Sequence, residues 1–288
     1  MDKLLIKNVH IIDPSQSLNC ISDIMIEDGV ISKLGKNLTV DCKTIDGSGL
    51  YAAPGLVDMH VHLRDPGFTD KEDIMTGCKS AAAGGVTSLL AMPNTKPAVD
   101  TPETVKYILD KAKNADARVY VVGAITKGLK SEEMTDIPAL KEAGIIALSD
   151  DGRPVVNTKF MAEAMQLADE LGLTVTAHCE DLFLADGGKI NEGKVSKLLG
   201  IKGIPAAAED TGTAREIAIA AAYGTAIHIC HVSTATSVAL VRDAKARGVR
   251  VTAETCPHYF TFTENELLKR DADFRMNPPL RTETDRQA

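Results

Sequence analysis

Tryptophan is absent from this chain of 288 residues, and aromatic side chains make up only 4% of it. The core must therefore be filled mainly by Val, Ile, Leu and Ala. No apolar run approaches the ~20 residues that a membrane span needs. The N-terminal MDKLLIKNVHIIDPS is too polar for the apolar stretch of a signal peptide. A basic stripe is lacking too, and the formal net charge is -8. That balance disfavours nucleic acid and anionic membranes as partners. The six cysteines (Cys20, Cys42, Cys78, Cys179, Cys230 and Cys256) show no CxxC spacing. In a chain this long they read as reduced thiols of a cytoplasmic protein, not as a disulfide framework. Walker A and GxSxG sequences are missing, and AAAGGVTS lacks the phosphate-loop lysine.

What is present changes character along the chain. Residues 1–53 hold short β-type runs, KLLIKNVHII, SDIMIEDGVISKLG and TIDGSGLYAAPG, broken by Asp-Pro, Asp-Gly and Gly-Ser-Gly turn signals. A small all-β segment is expected there, with a hairpin at Glu27-Asp28-Gly29. From residue 54 to 288 strands and helices alternate. The candidate strands are GLVDMHV, GVTSLLAMP, ARVYVVGA, GIIALSD, LTVTAHC, AIHICHV and VRVTAET. Stretches with apolar residues at helical spacing lie between them, such as TPETVKYILDKAKN, KFMAEAMQLADELG, TAREIAIAAAYG and STATSVALVRDAKARG. Alternation implies a parallel sheet. Polar residues cluster just after the strands, where a (β/α)8 barrel places its chemistry. A doubly wound open sheet is the alternative, weakened by the missing GxGxxG after the first strand. Seven strands are counted, not eight.

VDMHVHLRDPG places His60 and His62 two residues apart, on one face of an extended segment. Alone, the pair is equally compatible with a surface role. Other strand ends add His178 in LTVTAHCE, His231 in AIHICHVS, and Asp150 and Asp151 in GIIALSDDG. In a barrel these ends meet on one rim. Four imidazoles and a carboxylate exceed the needs of one zinc ion, and a carboxylate bridging two ions would use them all. His228 lies an odd number of residues from His231, so on a regular strand it faces the helices and reads as structural. Arg64 suits a carboxylate-bearing substrate, with an ion pair to Asp65 as the bland alternative. Asn94 and Asn277 occupy rim turns, where asparagine commonly only forms the turn. Glu72/Asp73 and Glu132/Glu133 read as solvated helix charges.

DMHVHLRDPG, GGVTSLLAMPNTKP, LSDDGRP, AHCED, CHVST, AETCPHY and MNPPLR resemble, in order and along the whole chain, the type I bacterial dihydroorotases of the amidohydrolase superfamily. The resemblance implies a TIM-type barrel with a small β-sandwich built from both chain ends. It implies Zn2+, one or two ions, at His60, His62, Asp151, His178 and His231, with Asp151 rather than Asp150 as the bridge. Many superfamily members use a carboxylated lysine there, and the Ser-Asp-Asp of this chain argues against a hydantoinase. Arg64, Asn94 and Asn277 match positions that hold the substrate carboxylate. The implied reaction is the zinc-dependent, reversible cyclisation of N-carbamoyl-L-aspartate to L-dihydroorotate in pyrimidine (UMP) synthesis. A homo-oligomer is implied, and aspartate transcarbamoylase is a conceivable partner.

The chain departs from that pattern at its end. The family's general acid is an aspartate closing the eighth strand, in a motif like TDHAPH, and no such motif occurs here. Asp271, Asp273 and Asp285 stand in the wrong context, so no catalytic acid is identified. The final RTETDRQA reads as a helix start. The expectation is a barrel truncated before strand eight, a fragment with little activity by itself, and exposed edges on strands one and seven that invite association. A naturally short form is the competing explanation. The competing functions are an inactive dihydroorotase-like partner of aspartate transcarbamoylase and an allantoinase-type hydrolase.

Overall fold

Asp28 and Gly29 both have positive φ, 50° and 79°, the sign that a two-residue type I′ hairpin requires. They join β2 (Leu18–Glu27) to β3 (Val30–Gly35) with Glu27 opposite Val30. β1 (Lys3–Asp13) pairs antiparallel with β2, and β4 (Lys43–Asp46) and β5 (Tyr51–Ala52) pair in parallel with β1. The β1–β2 register shifts between Ile6 and Val9. Asp23 takes up the amide freed at this bulge, accepting from the Asn8 N–H at 2.8 Å and from the Leu38 N–H at 2.9 Å. The computed structural model describes residues 2–288. The chain divides into two compact units, one ending at Leu56 and one running from Val57 to Ala288.

The second unit is built on a seven-stranded sheet. Its strands are β6 (Leu56–Val61), β7 (Val86–Ala91), β8 (Arg118–Ala124), β9 (Ile145–Ser149), β10 (Thr174–Ala177), β13 (Ile227–Ile229) and β14 (Val251–Ala253), adjacent in chain order. Pairing from β7 through β14 is parallel. β11 (Ile190–Asn191) and β12 (Gly203–Ile204) form a separate small ladder. The long connections are α1 (Ile74–Ala83), α2 (Pro102–Lys111), α3 (Ile137–Ala143), α4 (Thr158–Glu170), α7 (Ala206–Tyr223) and α8 (Ala235–Ala246). Shorter turns of helix are α5 (Leu182–Ala185), α6 (Lys194–Leu199), α9 (Pro257–Thr261) and α10 (Glu283–Gln287). Among the described residues no helix is long and apolar enough to cross a membrane.

Both faces of the sheet are covered. Leu89 and Ala91 of β7 and Val119 and Val121 of β8 join the large cluster that includes Ile74, Leu140, Met165 and Ile217 of the helices. The alternate residues Leu90, Met92 and Val122 pack in a second cluster with Ala147. The helices therefore cover one face and the strands' own side chains fill the other, as in a barrel. Curvature brings the sheet's two ends together: His60 on β6 is hydrogen-bonded to Glu254, just beyond β14, at 2.6 Å and 194 residues away in sequence.

The seven strands match the candidates read from the sequence, and α2, α4, α7 and α8 fall on the expected helical stretches. Two details differ. Glu132 and Glu133 lie in a bend rather than on a helix, with Glu133 paired to Lys127. Asp73 is the N-cap of α1, accepting from the Met75 and Thr76 amides.

Candidate metal centre

Strand alternation aims the site. Val61 packs against the helix-side cluster, so its neighbours His60 and His62 point to the opposite, inner face. Val175 and Ala177 likewise belong to the helix side, which puts Thr176 and His178 inside. β9 ends at Ser149, and the next two residues part ways. Asp150 turns to β8, accepting from the Ile125 N–H (2.8 Å), the Thr126 N–H (3.1 Å) and the Thr126 hydroxyl. Asp151 turns inward, into the histidines.

Its surroundings are specific. Asp151 Oδ1 lies 3.4 Å from His60 Nε2, 3.8 Å from His178 Nδ1 and 3.5 Å from His231 Nε2, and Oδ2 lies 3.5 Å from His62 Nε2. Tetrahedral ligands about 2.1 Å from one zinc ion stand roughly 3.4 Å from each other, so these spacings are those of a ligand shell. Three rings are held from behind. His60 Nδ1 donates to Glu254 Oε1 (2.6 Å), His62 Nδ1 to Asn94 Oδ1 (2.9 Å), and His178 Nε2 to Glu180 Oε2 (3.2 Å). An outward N–H on a neutral imidazole leaves the inward nitrogen as a lone pair, the state a metal needs. Asp151 Oδ1 is buried and has no hydrogen-bond partner. A buried carboxylate oxygen ringed by imidazole nitrogens is stable only with a positive charge among them. The residues present therefore fit a divalent cation. They form two triads, His60–His62–Asp151 and Asp151–His178–His231, sharing Asp151.

Electrostatics follow the same lines. Burial opposes ionisation of Asp151, but His231 and His60 hold its carboxyl well below the usual range. Burial would lower His60 as well, yet Asp151 and Glu254 push it up to about 10, so a proton there balances the carboxylate when no metal does. Burial drives His231 down to about 4 and lowers His62. Asp150 is raised by burial to about 6 despite its Thr126 and Ile125 donors.

Of the expected substrate-holding residues, Asn94 contacts the cluster directly and Asn277 contacts Glu180 beside it. Arg64 makes no ion pair among the described residues; Asp65 instead accepts from the Tyr107 hydroxyl (2.9 Å) and pairs with Lys111 (2.6 Å). The backbone of Arg64 is left-handed (φ 59°), a strained state for a non-glycine residue of the kind found at functional sites. Its loop is locked against the next one at Gly67, where φ is +90° and a Cβ would come within 2.0 Å of the Lys96 carbonyl oxygen. Asn94 bridges His62 and Asp151, donating to Asp151 Oδ2 at 3.0 Å. Asn277 stands 3.5 Å from both oxygens of Glu180, on the far side of His178. Its segment is anchored by buried Arg281, which donates to Asn191 Oδ1, the Ile204 carbonyl (both 3.0 Å) and Ser233 Oγ (3.1 Å).

His228 does not face the helices. Ile227 and Ile229 do, and His228 points inward to Thr252 Oγ1 (2.8 Å) and towards Glu254. The parity argument fails because β13 ends at Ile229 and His231 has φ 36°, so alternation does not run through it. Glu254, Glu180 and Arg281 were missed. The available signal for Glu254 was its place at the end of a candidate strand, in VTAET, the same position that singled out His178.

Residues 49–237 match the Dihydro-orotase-like family. A dihydroorotase of Ruminiclostridium cellulolyticum is 51% identical over 98% of this chain and 67% of its own length, and one of Geobacter sp. (strain M21) is 51% identical over 99% and 68%. Among solved structures, the L-hydantoinase (dihydropyrimidinase) of Arthrobacter aurescens superposes with a TM-score of 0.84 at 22% identity, over 100% of this chain and 65% of that one, a likeness of fold. The chain thus spans about two thirds of the length of the proteins it matches. Family match, sequence relatives and barrel-type fold agree: this chain belongs to the dihydroorotase-like family of amidohydrolases.

Proposed function

We propose that this chain carries the metal-binding and substrate-holding part of a dihydroorotase, which interconverts N-carbamoyl-L-aspartate and L-dihydroorotate in pyrimidine synthesis. The observation that carries this reading is Asp151, a buried carboxylate among four imidazoles with one oxygen lacking a donor. Relatives named dihydroorotase at 51% identity support the substrate. Imidazole and carboxylate donors suit zinc. His60, His62 and Asp151 would hold one ion, and Asp151, His178 and His231 a second. When bound, zinc supplies Lewis acidity at the amide carbonyl and makes water acidic enough to attack near neutral pH.

In ring opening, water adds to the ring carbonyl carbon, the C–N bond breaks, and the departing nitrogen takes a proton. Ring closure reverses these changes. Arg64 holds the substrate carboxylate through its planar fork of donors, flanked by Asn94 and Asn277, and this fixes the carbonyl's orientation. The proton for the nitrogen is the weak point. Burial opposes ionisation of Asp151, Glu254 and Glu180, but imidazole partners hold all three below the ordinary carboxylate range, so they are ionised at neutral pH. Asp150 keeps its proton more readily, but its oxygens are spent on Ile125 and Thr126. A positioned general acid contributes roughly 10²–10⁴-fold.

The test loads the purified chain with zinc and offers it L-dihydroorotate, with allantoin as the competing ring amide. Selective binding of dihydroorotate is expected, weakened on the order of tenfold or more by Arg64→Ala, as loss of a charge-assisted contact would do. Turnover is expected to be about 10²-fold or more below that of a longer relative. Turnover comparable to that relative would contradict the assignment of the weak point. A chain that processes allantoin and ignores dihydroorotate would overturn the function.

A further inference from the structure

Glu254 enters the site from the edge of the sheet opposite His60. Its backbone is pinned on both sides: the Glu254 N–H donates to the Ile229 carbonyl at 3.0 Å, and its own carbonyl accepts from the Val232 N–H at 2.8 Å. One carboxylate oxygen accepts from His60 Nδ1 at 2.6 Å. The other lies 3.4 Å from His228 Nε2, an ion-pair distance whose alignment makes no hydrogen bond, since that nitrogen is buried without a partner. His228 is fixed in turn by Thr252, its register partner across β13 and β14. The chain Thr252–His228–Glu254–His60 therefore runs from the last strand of the sheet to the first.

From this geometry we infer that Glu254 is a positioning residue for the metal centre: it fixes His60 as the Nδ1–H tautomer and aims Nε2 at Asp151. The inference rests on the metal reading of the cluster and adds a role to a residue outside both ligand triads. Asn94 and Glu180 support His62 and His178 in the same manner, but Asn94 follows the adjacent strand β7 and Glu180 lies two residues from the ring it holds. Glu254 differs in coming from the far edge strand, so the closeness of β14 to β6 is what places His60. Partners of this kind are worth roughly 10–100-fold in metal affinity.

The experiment measures Zn2+ dissociation constants by chelator competition, and Co2+ visible spectra, for the full chain and its Glu254→Gln and Glu254→Ala variants. Glu254→Ala is expected to weaken Zn2+ binding on the order of 100-fold, and Glu254→Gln, which keeps a neutral acceptor for Nδ1–H, on the order of tenfold. The Co2+ bands are expected to keep their shape in Glu254→Gln. Affinity of Glu254→Ala within twofold of wild type would overturn the inference. So would equal losses in both variants together with a thiolate charge-transfer band in wild type, because the ion would then lie among His60, Cys230 and Glu254, which also converge. Should the variants fail to fold, 15N histidine spectra of zinc-loaded wild type decide: Nδ1–H on His60 supports the assignment, and Nε2–H overturns it. Wild-type protein that binds no Zn2+ removes the metal reading itself, and this inference with it.

Discussion

Neighbouring residues of one type do different work in this site, and the backbone decides which. Asp150 and Asp151 are both buried and both follow β9. Strand periodicity leaves the choice between them open, because it ends at Ser149, and only the resemblance of the Ser-Asp-Asp motif favoured Asp151. Asp150 spends its oxygens on two backbone amides and a hydroxyl of the neighbouring β8 end, while Asp151 sees only imidazoles and Asn94. Asp151→Asn is therefore expected to reduce Zn2+ affinity by about 100-fold or more, because it removes the carboxylate shared by both triads. Asp150→Asn keeps an oxygen for the two amides but sets an NH2 group against the buried Thr126 hydroxyl, and is expected to cost stability instead, on the order of 2 kcal/mol. Isothermal titration with Zn2+ beside thermal melts separates the two, and matching losses of affinity in both variants would contradict the division of roles. His60, His62, His178 and His231 were legible because each stands at a strand end. Glu254 stands at a strand end too but was passed over, and Arg281 lies on no strand, so nothing marks it until the fold supplies its partners.

Among the elements, strong period-2 and period-3.6 patterns were readable and weak ones were not. All seven central strands and four long helices fall where the patterning puts them. α1, IMTGCKSAAA, escaped because Gly, Ser and Ala blur its apolar face, and because its cap Asp73 looks like any solvated carboxylate. α3 has only seven residues, and β11 and β12 two each, too short to show a period. In the first unit the bulge at Asn8 has no pattern at all. It is stabilised by Asp23, whose carboxyl is held below its usual range by the Asn8 amide first and the Leu38 amide with it. A depressed folded pKa adds stability above the unfolded value of about 3.9, and that stability is lost as pH falls through the folded value. Asp23→Asn is expected to cost on the order of 2 kcal/mol at pH 7 and to flatten the loss of stability below about pH 4. Denaturant unfolding from pH 7 to 3 checks this, and parallel curves for the two proteins would contradict it.

At the level of the whole molecule, the site exists only because the sheet curls. His60 lies on β6 and His62 just follows it, Asp151 follows β9, His178 follows β10 and His231 follows β13. In a flat sheet β6 and β13 would stand five strand spacings apart, on the order of 24 Å. In the curled sheet the rings of His60 and His231 lie 5.1 Å apart, centre to centre. Barrel architecture was legible from alternation of strands and helices. The meeting of these four strand ends on one rim followed from that reading, but their spacing about Asp151 did not, because curvature is set by the packing of both faces and by register shifts such as the one between Val121 and Val122. The most direct test is anomalous scattering at the zinc edge from crystals of this chain grown with Zn2+. The expected result is a peak, or a pair of peaks about 3.5–4 Å apart, within ~2.2 Å of Asp151 and of the inward nitrogens of the four histidines. Zinc bound elsewhere, with the Asp151 cluster empty at saturating Zn2+, would contradict it.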